Sequence, residues 1–435
     1  MKYRSTTGAS PEVTLEEAVI KGLAPDRGLY MPLSFPQLPR EFFDALPDMS
    51  LQEIAVYVAQ SLFGEDVDKE ALKRLTEETM NFPIPLVKVK DNIYSLELFH
   101  GPTLAFKDVG ARFMARLLGY FNRDNKDRVV NVLVATSGDT GSAVANGFLG
   151  VDGVRVFVLY PKGKVSKIQE AQFTTLGRNI TALEVDGNFD DCQRLVKEAF
   201  MDSELNEKMM LTSANSINVA RFLPQMFYYF HAYGQAVKAG VNPEEIVICV
   251  PSGNFGNITA GLIAKKMGLP VKRFIAANNA NDIFFNYLNT GVYSPKASVS
   301  TIANAMDVGD PSNFARVLDL YDNSHEGIVK EISGATYSDD QISETLYSAV
   351  KSTGYTPDPH GAVGLRALEE GLKEDETGIF LETAHPAKFK DTVDVITKGD
   401  IEIPEKLRAF MNGEKKSIEM SRDFQDFKSF LLKSI

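Results

Sequence analysis

The sequence predicts an α/β protein in which short buried strands alternate with longer helices. Apolar runs of strand length lie at 129–135, 154–160, 180–185, 246–250, 274–277 and around 379–380. Helical patterns separate them, as at 191–200 and 258–267. Because buried strands joined by helices form parallel sheets covered on both faces, this alternation predicts parallel or mixed sheets flanked by helices.

The first part of the chain has a different pattern and predicts a mostly helical region. Thr14 and Glu17 have the spacing of a capping box, and Ser50 and Glu53 repeat it. With 435 residues, the chain is too long for one compact core. The sequence therefore predicts an N-terminal mostly helical domain over 1–98, an α/β domain over 99–235, and an α/β domain with C-terminal helices over 236–435. Phe424, Phe427 and Phe430 or Leu431 share one face of the last helix, which predicts a packing surface.

Charge and cysteine content exclude several classes of protein. The 58 acidic residues outnumber the 46 lysines and arginines, giving a formal net charge of -12, so nucleic acid and membrane surfaces are not expected partners. The two cysteines, Cys192 and Cys249, lie far apart and suit a reducing cytoplasm. His100, His360 and His385 lack metal-ligand spacing, so no metal is expected and each is interpreted as a hydrogen-bonded structural histidine.

Lys107 is the first candidate catalytic residue. It follows the apolar Ala105 and Phe106 and precedes Asp108, a good N-cap for the helical pattern that follows. Positive potential at a helix start and apolar neighbours favour a neutral amine, which is the form that reacts with carbonyl carbons. Taken alone, the motif also suits an ordinary solvated lysine beside a helix cap.

Two glycine-rich turns each follow a predicted strand and open a predicted helix. They are ATSGDTGS over 135–142 and PSGNFGN over 251–257. Glycines let backbone N–H groups approach an anion at a helix N-terminus, although a strand-to-helix turn with capping residues has the same composition. Neither turn is a GxGxxG or P-loop motif, which disfavours a nucleotide site. Two more polar segments, NSINVAR over 215–221 and LETAHPAKF over 381–389, follow other predicted strands or open helices.

Together, HGPTLAFKD, ATSGDTG, PSGNFGN and TAHPAKF resemble the threonine synthase family, in the bacterial form with an N-terminal helical region. The resemblance extends to YRSTTG, GLAPDRGLYMP and NSINVAR and so covers nearly the whole chain. It implies the fold type II architecture of enzymes that use pyridoxal 5'-phosphate. It also implies conversion of O-phospho-L-homoserine and water to L-threonine and phosphate, by γ-elimination and addition of water at the β carbon.

The resemblance also implies roles for individual residues. Lys107 would form the Schiff base with the cofactor and act as a base, and Thr383 would face the pyridine nitrogen. The cofactor phosphate would be held by Gly253, Asn254, Phe255, Gly256 and Asn257. The substrate carboxylate would be received by Ser137, Gly138, Asp139 and Thr140. The substrate phosphate would lie near Asn215, Ser216, Asn218 and Arg221.

Alternatives remain at this point. A serine or threonine dehydratase of the same fold needs no second phosphate site, so activity with O-phosphohomoserine distinguishes the two. An inactive protein of this fold that serves as a binding module is disfavoured because the lysine and both glycine-rich turns are present. A cytoplasmic monomer or homodimer acting on a small molecule is expected.

Overall fold

The computed structural model describes residues 1–125 and 129–434, which form two compact units. The first unit comprises Met1–Met31, Lys107–Arg221 and Ile403–Ile435, and the second comprises Pro32–Phe106 and Phe222–Glu402. Both units therefore draw on segments that are far apart in sequence. The division into consecutive domains over 1–98, 99–235 and 236–435 cuts across these units and stays a prediction.

The strands and helices of the described residues alternate as expected after residue 129. The strands, in chain order, are β1 (Tyr3–Ser5), β2 (Tyr30–Pro32), β3 (Leu86–Lys90), β4 (Ile93–Glu97), β5 (Val130–Ala135), β6 (Val154–Pro161), β7 (Ile180–Val185), β8 (Met210–Ser213), β9 (Ile246–Pro251), β10 (Arg273–Asn278), β11 (Ile332–Thr336), β12 (Thr377–Glu382) and β13 (Ile418–Met420). The helices are α1 (Leu15–Lys21), α2 (Arg40–Ala45), α3 (Leu51–Phe63), α4 (Lys69–Thr79), α5 (Lys107–Asn122), α6 (Asp139–Phe148), α7 (Lys167–Thr174), α8 (Phe189–Met201), α9 (Ser203–Lys208), α10 (Val219–Phe222), α11 (Met226–Lys238), α12 (Gly256–Lys266), α13 (Ile283–Thr290), α14 (Phe314–Leu320), α15 (His325–Glu331), α16 (Asp339–Thr353), α17 (Pro359–Gly371), α18 (Lys390–Thr397), α19 (Glu405–Met411) and α20 (Phe424–Lys433). Short 3₁₀ turns lie between some of them, at Leu46–Asp48, Leu223–Gln225, Pro243–Glu245, Asn304–Met306 and Pro386–Phe389.

The second unit is built on a mixed sheet with strand order β11-β10-β9-β12-β4-β3. Neighbouring strands are parallel except for β3, which pairs antiparallel with β4. Val247, Cys249, Ile275 and Phe380 from the central strands are buried in its main apolar core. Continuous apolar runs at these positions follow from a sheet that is covered on both faces.

The first unit is built on a parallel sheet with strand order β13-β7-β6-β5-β8. Its core includes Leu133, Phe157 and Leu183 from the sheet and Phe427 and Leu431 from α20. The predicted packing face of the last helix is thus confirmed. The C-terminal segment also adds the strand β13 to this unit, which the sequence did not predict.

Both capping boxes are confirmed. The side chain of Thr14 accepts a hydrogen bond from the backbone N–H of Glu17, and that of Ser50 accepts one from Glu53. Each glutamate carboxylate in turn accepts the backbone N–H of the cap residue. Such reciprocal bonds satisfy donors that a helix start otherwise leaves unpaired. None of the described helices is long and apolar enough to cross a membrane.

Candidate cofactor and substrate site

In the second unit, the turn after β9 leads into α12 and is packed so closely that it requires glycine. Phe255 adopts a left-handed backbone with φ of 65°, and it is the N-cap of α12, which begins at Gly256; the Phe255 side chain makes no cap hydrogen bond. A Cβ on Gly253 would lie 2.8 Å from the carbonyl oxygen of Ala305 and 3.0 Å from the Cα of Met306. Only glycine fits there without displacing backbone. Uncapped N–H groups at the start of a helix of this length suit an anion.

Asn257, in the first turn of α12, is buried and oriented by two tyrosines. The hydroxyls of Tyr228 and Tyr229 both donate to its Oδ1 atom, each at 2.7 Å. Its Nδ2 atom has no hydrogen-bond partner within 1–125 and 129–434. A buried donor left without a partner is costly, so a bound acceptor beside it would stabilise this arrangement.

Thr383 lies directly after β12, at the carboxyl end of the strand, and is largely buried. Its carbonyl oxygen accepts the backbone N–H of Phe106 at 2.9 Å, and Ala384 forms an isolated antiparallel bridge with Ala105. The segment that precedes Lys107 is therefore fixed to the segment that contains Thr383. Sequence reasoning selected both segments but gave no reason for them to be in contact.

A buried polar cluster lies next to Thr383, and sequence reasoning did not select it as part of a site. The side chain of Asp358 caps α17, and its Oδ2 atom accepts the backbone N–H of Ala384 at 3.0 Å. Glu382 accepts the backbone N–H of Asp358 at 2.5 Å. Burial, together with the Asp358 charge, raises the pKa of Glu382 well above its ordinary range. The segment Asp358–Gly361 is the capped start of α17.

The three histidines that lack metal-ligand spacing are each hydrogen-bonded, as expected. His100 pairs with Glu97 at 2.7 Å, and His360 pairs with Asp358 at 2.6 Å. The Nδ1 atom of His385 accepts the backbone N–H of Ala387, and burial lowers the His385 pKa to about 4. Among the described residues, no group of histidine, cysteine and acidic side chains could hold a metal ion.

In the first unit, Lys107 is the first residue of α5, so this helix begins one residue before the cap position expected for Asp108. Asp108 is buried inside the first turn and lies in the electrostatic neighbourhood of Arg221. Burial lowers the pKa of Arg221 to about 10, and its guanidinium donates to the carbonyl oxygen of Ala214. The backbone of Arg221 also packs tightly on Gly110 of α5, where a Cβ would not fit. Arg221 therefore supports the helix that Lys107 begins.

Thr136 stabilises the turn between β5 and α6. Its hydroxyl oxygen accepts the backbone N–H of Gly138 at 2.9 Å and that of Gly141 at 2.8 Å. Gly138 has φ of +145°, and a Cβ there would collide with the side chain of Gln169, which also donates to Asp139 at 2.9 Å. Asp139 is therefore engaged within the protein.

Ser137 and Thr140, by contrast, are partly exposed on this turn. They flank the start of α6, where the Thr136 hydroxyl accepts the backbone N–H of Gly141. Of the four residues expected at the substrate carboxylate, these two present the most accessible side chains.

The segment 215–221 contacts the same turn at one point. The Asn215 side chain donates to the carbonyl oxygen of Ala135 at 3.1 Å, which joins it to the end of β5. Ser216 is partly exposed. Asn218 is fully buried, donates to the carbonyl oxygens of Val19 and Ser213, and accepts the N–H of Ala220. Asn218 thus shapes the segment and has little capacity left for a ligand.

These features fit pyridoxal 5'-phosphate chemically. The uncapped start of α12, the close approach at Gly253 and the unpartnered amide of Asn257 suit its phosphate group. The hydroxyl side chain of Thr383 suits a ring nitrogen, and a lysine at position 107 can form an imine with an aldehyde.

Three family profiles match consecutive parts of the chain. The profile of pyridoxal-phosphate dependent enzymes matches residues 80–382. The profile described as threonine synthase N terminus matches residues 2–80, and the one described as threonine synthase, C-terminal, matches residues 361–431.

Similar proteins cover the same length. A threonine synthase of Haemophilus influenzae is 45% identical over 97% of this chain and 97% of its own. The crystal structure of threonine synthase from Escherichia coli superposes with a TM-score of 0.93 at 41% identity, covering 100% of both chains. A threonine synthase structure from Brucella melitensis, described as bound to the cofactor, has a TM-score of 0.92 at 35% identity over 99% of this chain and 98% of its own.

Proposed function

This chain belongs to the threonine synthase family of pyridoxal-phosphate-dependent lyases, and we propose that it converts O-phospho-L-homoserine and water to L-threonine and phosphate. One observation carries the proposal: the similarity includes the N- and C-terminal regions particular to threonine synthases as well as the central enzyme region. For a dehydratase of the same fold, we would expect similarity to the central enzyme region alone.

The proposal gives the cofactor three points of attachment. Lys107 binds it covalently, the segment from Gly253 to Asn257 holds its phosphate, and the Thr383 hydroxyl meets its ring nitrogen. Support comes from the uncapped helix start and the unpartnered Asn257 amide. When bound, pyridoxal 5'-phosphate delocalises the electron pair left at the substrate α carbon.

The remaining chemistry falls to side chains of this chain. We assign to the Lys107 amine the proton transfers at the α and β carbons of the substrate, since a base already beside the reacting atoms needs no further positioning. The Thr383 hydroxyl, unlike a carboxylate, does not stabilise a protonated ring nitrogen. We infer that this choice restrains side reactions such as transamination.

The substrate carries two anionic groups, although the protein has a formal net charge of -12. We assign the carboxylate to the turn from Ser137 to Thr140, with the two partly exposed hydroxyls in direct contact. We assign the phosphate to the neighbourhood of Asn215, Ser216 and Arg221, where one cation offsets the acidic background. Asn218 serves to position this segment, because its amide is already bonded to backbone.

We also propose that the protein works in the cytoplasm, as a monomer or homodimer. Both cysteines are buried free thiols, which suits a reducing compartment.

The test is phosphate release from O-phospho-L-homoserine by the purified, cofactor-loaded protein, with L-threonine identified as the product. Serine and threonine serve as control substrates, since a dehydratase would release ammonia from them. Phosphate release with threonine as the product supports the proposal. Ammonia release from serine or threonine, with no threonine formed from O-phospho-L-homoserine, would favour the dehydratase alternative instead.

A further inference from the structure

Asp358 and His360 form a buried pair in the second unit to which the proposed mechanism assigns no role. Asp358 is fully buried, and His360 is about 2% exposed. The Nδ1 atom of His360 lies 2.6 Å from the Oδ1 atom of Asp358. Both residues belong to the start of α17, so one explanation is that they cap this helix and do nothing else.

The hydrogen bonds of His360 fix where its ring proton lies. Its Nε2 atom accepts the backbone N–H of Ala305 at 3.1 Å, so that nitrogen carries no proton. The proton is therefore on Nδ1 and is donated to Asp358. His360 thus joins the aspartate on one side to the Ala305 backbone on the other.

The Ala305 backbone continues this connection toward the candidate phosphate turn. Its carbonyl oxygen would lie 2.8 Å from a Cβ on Gly253, so the two backbones are packed closely. A shift of Ala305 toward this turn would change the space around Gly253. Close packing transmits such small displacements because the contact leaves no room to absorb them.

Asp358 makes the second connection, toward Thr383. Its Oδ2 atom accepts the backbone N–H of Ala384 at 3.0 Å, and Ala384 forms the bridge with Ala105. The other oxygen, Oδ1, caps the helix by accepting the backbone N–H groups of His360 and Gly361, and it also accepts the Nδ1–H of His360. The Oδ2 bond and the Ala305 bond are thus additional to the cap.

From these contacts we propose that Asp358 and His360 are positioning residues for the cofactor. They hold the Gly253 turn and the Thr383–Ala384 segment in the arrangement that binds the phosphate and ring of pyridoxal 5'-phosphate. The inference rests on the proposed function, which assigns those two segments to the cofactor. Mutations of residues that orient ligand-binding groups typically cost 10- to 100-fold in binding.

Two substitutions at position 360 separate the connections. His360→Gln places an oxygen near the former Nε2 and keeps an acceptor for Ala305. His360→Asn keeps a donor near the former Nδ1 but is too short to reach Ala305. Each substitution removes one bond of the same ring, so each serves as a control for the other.

The readout is the ratio of dissociation constants for pyridoxal and pyridoxal 5'-phosphate, which differ only in the phosphate group. In the wild type this ratio measures how much the phosphate turn contributes to binding. His360→Asn should lower the ratio about tenfold, and His360→Gln should lower it less than threefold. The thermal unfolding temperature of the cofactor-free protein should fall by a similar amount in both variants. A ratio unchanged in His360→Asn would overturn the proposal, because a purely structural role lowers stability without changing phosphate preference.

Ala305→Pro is the second variant, in case His360→Asn does not fold. It removes the N–H that His360 accepts and leaves every buried side chain in place, and a 3₁₀ turn tolerates proline in its first turn. It should lower the ratio as His360→Asn does. A wild-type ratio in Ala305→Pro refutes the Ala305 connection.

Two further variants separate failure of this inference from failure of the proposed function. Gly253→Ala intrudes on the turn directly; if it leaves the ratio unchanged, the turn does not hold the phosphate and the assignment itself is wrong. If Gly253→Ala lowers the ratio but the position 360 variants do not, only the present inference fails. Glu376 forms an ion pair with Arg273 and lies just before the first residue of β12, at the end of the strand opposite Thr383. Glu376→Gln weakens this ion pair and should lower stability while leaving the ratio unchanged.

Discussion

The backbone N–H of Phe106 donates to the carbonyl oxygen of Thr383 at 2.9 Å, so the residue before Lys107 is hydrogen-bonded to a residue proposed to face the cofactor ring. A hydrogen bond between backbone groups depends on no side chain. Substitutions at position 107 or 383 therefore leave this bond available, and their effects report on the side chains themselves.

Lys107→Ala should abolish turnover and the covalent cofactor attachment that borohydride reduction traps. Non-covalent binding should persist, because the turn from Gly253 to Asn257 is unchanged. Mass spectrometry after borohydride treatment measures the attachment, and equilibrium dialysis measures the binding. Lys164→Ala, at an exposed position, is the control and should keep the adduct. An adduct retained in Lys107→Ala would move the attachment to another lysine.

Thr383→Asp should increase side products relative to threonine, because a carboxylate stabilises a protonated ring nitrogen and strengthens electron withdrawal. Thr383→Ser keeps a hydroxyl and should retain the wild-type product ratio. Chromatography of the products, with a separate assay for transamination, gives the comparison. Equal product ratios in Thr383→Asp and the wild type would contradict the role proposed for the hydroxyl.

Arg221→Ala should raise KM for the phosphorylated substrate without changing cofactor content. It should also lower stability, since it leaves the buried Asp108 carboxylate without its neighbouring cation, a change that typically costs roughly 3–5 kcal/mol. Arg221→Lys keeps the charge and should recover most of the stability. The cofactor content of the folded protein decides the site: if Arg221→Ala loses cofactor, the two phosphate assignments must be exchanged.

Glu382→Gln should stabilise the protein progressively as pH rises. Burial raises the pKa of the folded Glu382 well above its ordinary value of 4.5, so the folded state keeps a proton that the unfolded chain has released. The stability associated with this proton is complete below the ordinary pKa and is lost as pH rises toward the folded pKa. Glutamine does not titrate, so the difference in unfolding free energy should grow from about pH 4 to pH 8. A constant difference across that range would show that Glu382 is ionised in the folded protein.

The strands that carry the predicted turns could be found in the sequence because they are continuous apolar runs bounded by glycine or polar residues. β3 could not, because its residues are half-buried or exposed and its run contains two lysines. The pairing of β13 with β7 joins residues more than two hundred positions apart. Local patterns contain no information about such pairs, so they could not indicate that the C-terminal segment adds a strand to this sheet.

The candidate site divides in the same way. Lysine, glycine and hydroxyl residues at strand ends are visible as short motifs, and the family resemblance gave them roles. The contacts of Asp358 with Ala384 and of His360 with Ala305 join residues 26 and 55 positions apart. In the sequence, Asp358 and Pro359 signal only a turn or a helix cap. They give no sign of the hydrogen bond between Asp358 and Ala384.

The assignment of 403–435 to the first unit has a consequence for biosynthesis. While a ribosome is still translating the chain, residues 1–221 can emerge long before Met420 and Leu431, which complete that unit's core. Until then, the earlier residues of the first unit keep part of their apolar surface exposed. Nascent chains in this condition recruit chaperones. A premature stop codon between residues 403 and 427 would therefore remove none of the proposed site residues and yet leave this core without Phe427 and Leu431.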